Sequence, residues 1–157
     1  MVEVNNRAFV ANNIAANTTE LKGVVGTGFT TYTAGGTIAK ATMTDIAEVK
    51  SIQFGGGQSS KIDVTNLRSF AKEYVYGLRD IGSIQLGVFL NNTDAGQIAL
   101  RNARDSGIAK VFSLQAADAT VMAFIGVITG LTFNMNVDAA WEGQINVELI
   151  AAETWFA

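Results

Sequence analysis

The chain is 157 residues long, one domain's length, and has no Cys, no His and no Pro, with 48% hydrophobic and 16% charged residues. Without thiolates or imidazoles, most zinc sites and all Cys- or His-based catalysis are excluded, leaving only carboxylate, hydroxyl and lysine chemistry. A net charge of −3, from 11 basic and 14 acidic residues, argues against a domain that holds nucleic acid by neutralising phosphates.

Residues 1–22, rich in Asn, Ala and Thr with weak periodicity, are expected to form an arm ahead of a single domain over residues 23–157. Glu3 precedes Arg7, and Asn12 and Asn13 break the apolar pattern, so no signal-peptide core forms and synthesis in the cytoplasm is expected. The glycine-bounded stretch 23–36 suggests a strand or hairpin limb. Residues 45–54 alternate Ile46, Glu48, Lys50, Ile52 and Phe54 with Ala47, Val49, Ser51 and Gln53, which predicts a strand.

Gly55, Gly56, Gly57 and Gln58 then break the alternation. No Walker lysine-serine pair and no dinucleotide spacing follows the glycines, so a flexible loop over residues 55–60 is expected instead of a phosphate cradle. A short strand follows at 61–65 and a turn at Asn66. The next predicted strand, 69–76, puts Phe70, Tyr74 and Tyr76 on one face, interrupted by Lys72, and Ser69, Ala71, Glu73 and Val75 on the other. Beyond a turn at 77–82, residues 83–90 alternate Ile84, Leu86, Val88 and Leu90 with Gln85, Gly87 and Phe89, the signature of a half-buried strand.

One helix is predicted, over 94–106, with Thr93 or Asn92 as N-cap and Gly107 as its stop. Ile98, Ala99, Asn102 and Ala103 lie near its apolar stripe and Leu100 lies off it. Strands at 109–115, 120–133 and 144–155 complete the chain, with turn signals at Asp118, Gly130, residues 134–136 and Gly143. The longest apolar run, 121–133, is too short to span a bilayer, so no membrane partner is expected. Strands on both sides of one helix make an α+β or mainly β domain.

Lys110 is the last basic residue, and only Asp118, Asp138, Glu142, Glu148 and Glu153 carry charge beyond it. Each taken singly is an ordinary solvated acid; together they make the C-terminal segment purely anionic. The lack of Pro removes a common blocker of sheet edges and favours ordered self-assembly.

Residues 61–67 (KIDVTNL) and 70–82 (FAKEYVYGLRDIG) resemble the major tail tube proteins of long-tailed, siphovirus-type bacteriophages. The family's I-D-V-T turn is followed by an E-x-x-x-G-L-x-D-x-G strand-and-turn, which Glu73, Gly77, Leu78, Asp80 and Gly82 fill, and the likeness runs in motif order over residues 45–150. The resemblance implies a mainly β sandwich or barrel with one flanking helix, related in fold to type VI secretion tube proteins. It implies a virion structural protein, not an enzyme, with no cofactor and no metal. Hexameric rings of it would stack into the hollow tail tube that conducts the genome. Its partners would be copies of itself, tail components such as tape measure, terminator and tip proteins, and DNA that passes without specific binding.

Under that resemblance Gln144, Asn146 and Glu148, which alternate with Ile145, Val147 and Leu149, are candidates to line the lumen, and Glu73, opposite Tyr74 and Phe70, is another. An anionic wall would repel the phosphate backbone and keep it moving. The glycine loop, Gly55, Gly56, Gly57 and Gln58, together with the arm, is the candidate for ring-to-ring contact. Two other readings compete: a type VI tube protein, and a carbohydrate-binding or hydrolytic β-sandwich using Trp141 with Glu142 and Glu153 with Trp155. Adjacent residues on a strand point to opposite faces, which weighs against the second.

Overall fold

The alternating segments around Ile84 and Ile145 form the centre of the fold. In the computed structural model, which describes residues 4–15, 18–31 and 37–156, the elements run β1 (Ala11–Ile14), β2 (Thr19–Leu21), β3 (Val49–Gly56), β4 (Ser59–Asp63), β5 (Tyr74–Arg79), β6 (Gly82–Phe89), α1 (Ala95–Ser106), β7 (Lys110–Gln115), β8 (Val121–Asn134), β9 (Glu142–Leu149) and β10 (Thr154–Phe156). The main sheet is antiparallel in the order β3-β6-β9-β8, with β7 and β10 both paired to the first half of β8. Register places Ile84 opposite Val147 and Leu86 opposite Ile145, and all four side chains are buried. Each such aliphatic burial stabilises the fold by about 1.5–3 kcal/mol.

One face of this sheet is covered by α1, whose Leu100 and Ala103 pack on Met122, Phe124 and Ile128. Phe112 of β7 stacks on Phe124 with ring centroids 5.2 Å apart. A smaller cluster on the far side of β8 joins Ala123, Phe156 and Ala8. Among the described residues the result is mainly β with one helix, and the sheets do not close on themselves.

The structure moves several expected boundaries. Asp94 is the N-cap, in place of Thr93 or Asn92, and its carboxylate accepts the Gln97 N–H at 2.8 Å. Gly107 ends the helix in the left-handed conformation, as expected. The buried side of the helix carries Gly96, Gln97, Leu100 and Ala103, so Leu100 is a core residue while Ile98, Ala99 and Asn102 are exposed. The reason is Gln97, a polar residue that is 4% exposed. Its side-chain N–H groups donate to the carbonyls of Phe89 (2.8 Å) and Ala47 (3.3 Å), and its Oε1 accepts from the Asn91 N–H (2.9 Å). Gln97→Met keeps the volume and strands those three backbone groups. We expect a loss of about 2–3 kcal/mol, read as a fall in Tm of roughly 5–10 °C in thermal unfolding of the subunit.

Strand β3 begins at Val49, not at residue 45, because Glu48 takes a left-handed φ of 61° and residues 45–48 instead run past the start of α1. It also continues through Gly55 and Gly56, paired with Ser83 and Gly82, so the expected loop shrinks to Gly57 and Gln58. The predicted strand at 69–76 starts only at Tyr74 and runs to Arg79, because Asn66 and Ser69 bind each other's backbones and hold the chain in a turn. Of the strand expected over 23–36, residues 24–31 are irregular, and residues 32–36 lie outside the described residues. Within the expected arm, β1 pairs with β2, Ala8 is buried against Phe156 and Ala123, and the Arg7 guanidinium donates to Thr154 Oγ1 at 3.3 Å.

Candidate functional site

The face of the main sheet turned away from α1 is covered at the first half of β8 by the cluster of Ala8 and Phe156 on Ala123, and over β3, β6, β9 and the second half of β8 it carries no covering layer among the described residues. Its side chains are those that alternate with the core. β3 contributes Ser51 and Gln53, β6 contributes Ser83 and Gln85, β9 contributes Gln144, Asn146 and Glu148, and the second half of β8 adds Thr132 and Asn134. Cross-strand register lines these into rows. Gln53 lies opposite Gln85 and Gln85 opposite Asn146, with the Gln85 side-chain amide donating to Asn146 Oδ1 at 3.0 Å. Ser83 lies opposite Glu148, and Gln144 opposite Thr132. The surface is therefore mostly neutral amide and hydroxyl.

Lys50 is the only basic residue in these four strands. Its ammonium is bonded to the Glu142 carboxylate and sits 5.5 Å from the centroid of the Phe89 ring. Both members of the pair are nearly half exposed, so it adds at most about 1 kcal/mol to stability, but it cancels the one cation that the face presents. Glu148 has no ion-pair partner among the described residues and is the face's one uncompensated charge.

The sequence-predicted residues thus divide. Gln144, Asn146 and Glu148 stand together on the open face. Glu73 does not: it precedes β5 on a separate two-stranded ribbon, β4–β5, where its N–H donates to Thr65 Oγ1 (3.0 Å) and its carbonyl accepts from Val64 (3.0 Å). Of the five C-terminal acids, Asp118 and Asp138 lie in turns, Glu153 lies between β9 and β10, and only Glu142 and Glu148 belong to the face. The Thr120 N–H and hydroxyl hold the Asp118 carboxyl below its ordinary range. Trp141 lies in the turn before β9 while Glu142 is taken up by Lys50, so the two form no sugar platform. The Gln53–Gln85–Asn146 row and the Lys50–Glu142 pair were not foreseen; alternation at residues 51–53 and 83–87 carries the first, but nothing local carries the second.

The ribbon continues β3 and β6 past the end of the sheet. At the joint the Asp80 N–H donates to the Gln58 carbonyl at 2.9 Å. Lys61 of β4 lies over the Tyr74 ring, and the Thr65 hydroxyl and N–H hold the Asp63 carboxyl below its ordinary range. Beyond these contacts the ribbon is bare, with Leu67, Phe70 and Leu78 almost fully exposed. Two further edges are unpaired among the described residues: the outer side of β3, and the side of β8 away from β9 over residues 127–134.

The sequence profile described as phage tail tube, TTP, lambda-like matches residues 22–121, nearly two thirds of the chain. The chain belongs to the lambda-like phage tail tube family. The match begins at the end of the expected arm and spans the ribbon and its turns. Tail tube proteins are structural components of the virion and not enzymes. No curated protein matches the chain by sequence.

Among solved structures, the tail of an empty gene transfer agent particle, refined with C6 symmetry, superposes with a TM-score of 0.56 at 19% identity, covering 71% of this chain and 84% of that one. The virion of the native gene transfer agent gives 0.56 at 17% identity, over 71% of this chain and 87% of that one. The SPP1 tail tube, determined by solid-state NMR and cryo-electron microscopy, gives 0.55 at 16% identity, over 76% and 70%. At these identities the likeness establishes the fold: this tail tube chain shares it with all three.

Proposed function

We propose that this chain forms hexameric rings that stack into the hollow tail tube through which the phage genome passes. The observation that carries this reading is a four-stranded module whose face away from α1 is polar and, beyond the first half of β8, uncovered, with a free strand edge at each side among the described residues. The outer edge of β3 and the free edge of β8 over residues 127–134 are different surfaces, so pairing them between copies is heterologous and generates a ring. Six copies, the symmetry of the gene transfer agent tail, would close a barrel of about 24 strands, and barrels of roughly 16–18 strands already enclose an aqueous channel.

The open face then becomes the wall of the lumen. Gln144, Asn146 and Glu148 line it, joined by Gln53, Gln85 and Ser83, and Lys50 is neutralised by Glu142. A wall with no free ammonium releases no counterions to DNA and does not retain it. Glu73 acts outside the lumen, on the ribbon. Residues 1–22 serve as an arm between subunits, residues 23–157 as the single tube domain, and the joint at Gly57 and Gln58 lies at the ring boundary. The chain is made in the host cytoplasm and the tube is completed by tape measure, terminator and tip proteins. The family match favours the phage tail over the type VI tube.

Electron microscopy of the concentrated protein and of assembled particles tests this reading. Six-fold rings or tubes are expected, with the β3–β6–β9–β8 sheet innermost. Particles whose tube wall presents α1 to the lumen would overturn it.

A further inference from the structure

Strand β8 carries one residue more than its ladder with β9 uses. Ile128 stands opposite Val147 and Gly130 opposite Asn146, so Thr129 has no cross-strand partner and forms a β-bulge. The bulge shifts the alternation by one. Before it Met122, Phe124 and Ile128 are buried in the core, and after it Leu131 packs on that same core while Thr132 and Asn134 join the open face. With Thr129 left out, residues 122, 124, 126, 128, 131 and 133 fall on one face and those between them on the other, an unbroken alternation that keeps every cross-strand pair. The ladder of the subunit therefore has no need of the extra residue.

Strand β3 has a bulge as well, at Lys50, between the pairs Val49–Val88 and Ser51–Gly87. That one has a visible use in the subunit, because it brings the Lys50 ammonium to Glu142. Thr129 is exposed, and its hydroxyl donates to the Asn146 carbonyl at 3.4 Å, the long limit of a hydrogen bond. The inner strands β6 and β9 pair without interruption. Up to Gly126 β8 is flanked by β7, and from Val127 onward that edge is free. The Thr129 bulge thus stands at the start of the free stretch. A strand bends and twists more strongly at a bulge, and curvature is what a wall of strands needs in order to close. Gly130 supports the bend: a Cβ there would lie 3.2 Å from Asn146 Nδ2, so the glycine lets that amide lie over it.

We propose that the Thr129 bulge sets the curvature of the tube wall and hence the number of subunits that close one ring. This rests on the tube reading and adds to it what fixes the size of the ring. With six copies, each four-stranded module turns the wall by about 60°. A β8 without the bulge presents its free edge at a different angle to the rest of the module. The same edge pairing repeated around the axis then closes at another number of copies, or does not close. A bulge can also guard an edge against pairing, but this edge is one that the ring has to pair.

The test compares deletion of Thr129 from the full chain with Thr129→Ala, which keeps the extra residue and loses only the hydroxyl. Thermal unfolding establishes that the subunits fold, and electron microscopy reads the rotational symmetry and diameter of what they build. Thr129→Ala is expected to give tubes with the symmetry and diameter of the unaltered protein. The deletion is expected to give folded subunits whose rings differ by at least one subunit, or arcs that stay open. Deletion tubes of unchanged symmetry and diameter would overturn the proposal while leaving the tube reading intact. Folded deletion subunits that do not associate would overturn it too, by assigning the bulge to the edge contact, and so would deletion subunits that unfold, by assigning it to the fold. A changed symmetry in Thr129→Ala would place the effect on the hydroxyl and count equally against it. Absence of tubes from the unaltered protein and from particles would instead remove the reading on which it rests.

Discussion

Tubes of Glu148→Lys are expected to assemble normally and to hold DNA at low salt, releasing it as salt rises. The change moves the face by about two charge units per subunit at its one uncompensated position, so each ring would present several ammonium groups to passing phosphates. If six or so phosphates are engaged, DNA affinity falls on the order of 10³-fold between about 50 and 200 mM salt. The measurement is DNA ejection from particles as a function of salt. Glu142→Gln reaches a similar state by another route, because it leaves Lys50 without its carboxylate partner. It exposes one cation per subunit and should retain DNA with a shallower salt dependence. Normal ejection by both variants at every salt would remove this face from the lumen, and failure of Glu148→Lys to assemble would place Glu148 at a contact between subunits.

Gly82→Ala is expected to cost about 3 kcal/mol, lowering Tm by roughly 6–12 °C. Gly82 opens β6 at the joint with the ribbon, where its φ of +114° suits glycine and few other residues. A Cβ there would lie 2.4 Å from the Gly55 carbonyl oxygen, a backbone atom that cannot move without unpairing β3. The neighbouring Gly55→Ala is the control. Its Cβ would meet Ser83 at 3.5 Å, an ordinary contact, so the change should stay within about 0.5 kcal/mol. Thermal unfolding of the two variants side by side reads the difference. Equal stabilities would mean that the joint tolerates a side chain and that the ribbon's direction is not held there.

The alternation at residues 83–90 and 144–149 by itself determines which side chains are buried, because a period of two offers a strand only one apolar face. For the same reason Gln144, Asn146 and Glu148 are legible as one open polar row, and the tail tube motif at residues 61–82 is legible as family. Gly107 is legible as a helix stop because a left-handed C-terminal position is a local requirement. Tertiary structure alone decides the rest. The helix turns Leu100 inward because the backbone of Ala47, Phe89 and Asn91 captures Gln97, and a glutamine read in isolation marks the solvent side. The glycines at 55 and 56 stay in a strand because β6 pairs with them, where a local reading sees only flexibility. Lys50 meets Glu142 across 92 positions of chain, through the ladders β3–β6 and β6–β9. Periodicity is a property of neighbours in sequence, whereas register and charge pairing belong to strands brought together from far apart, and only the folded sheet specifies them.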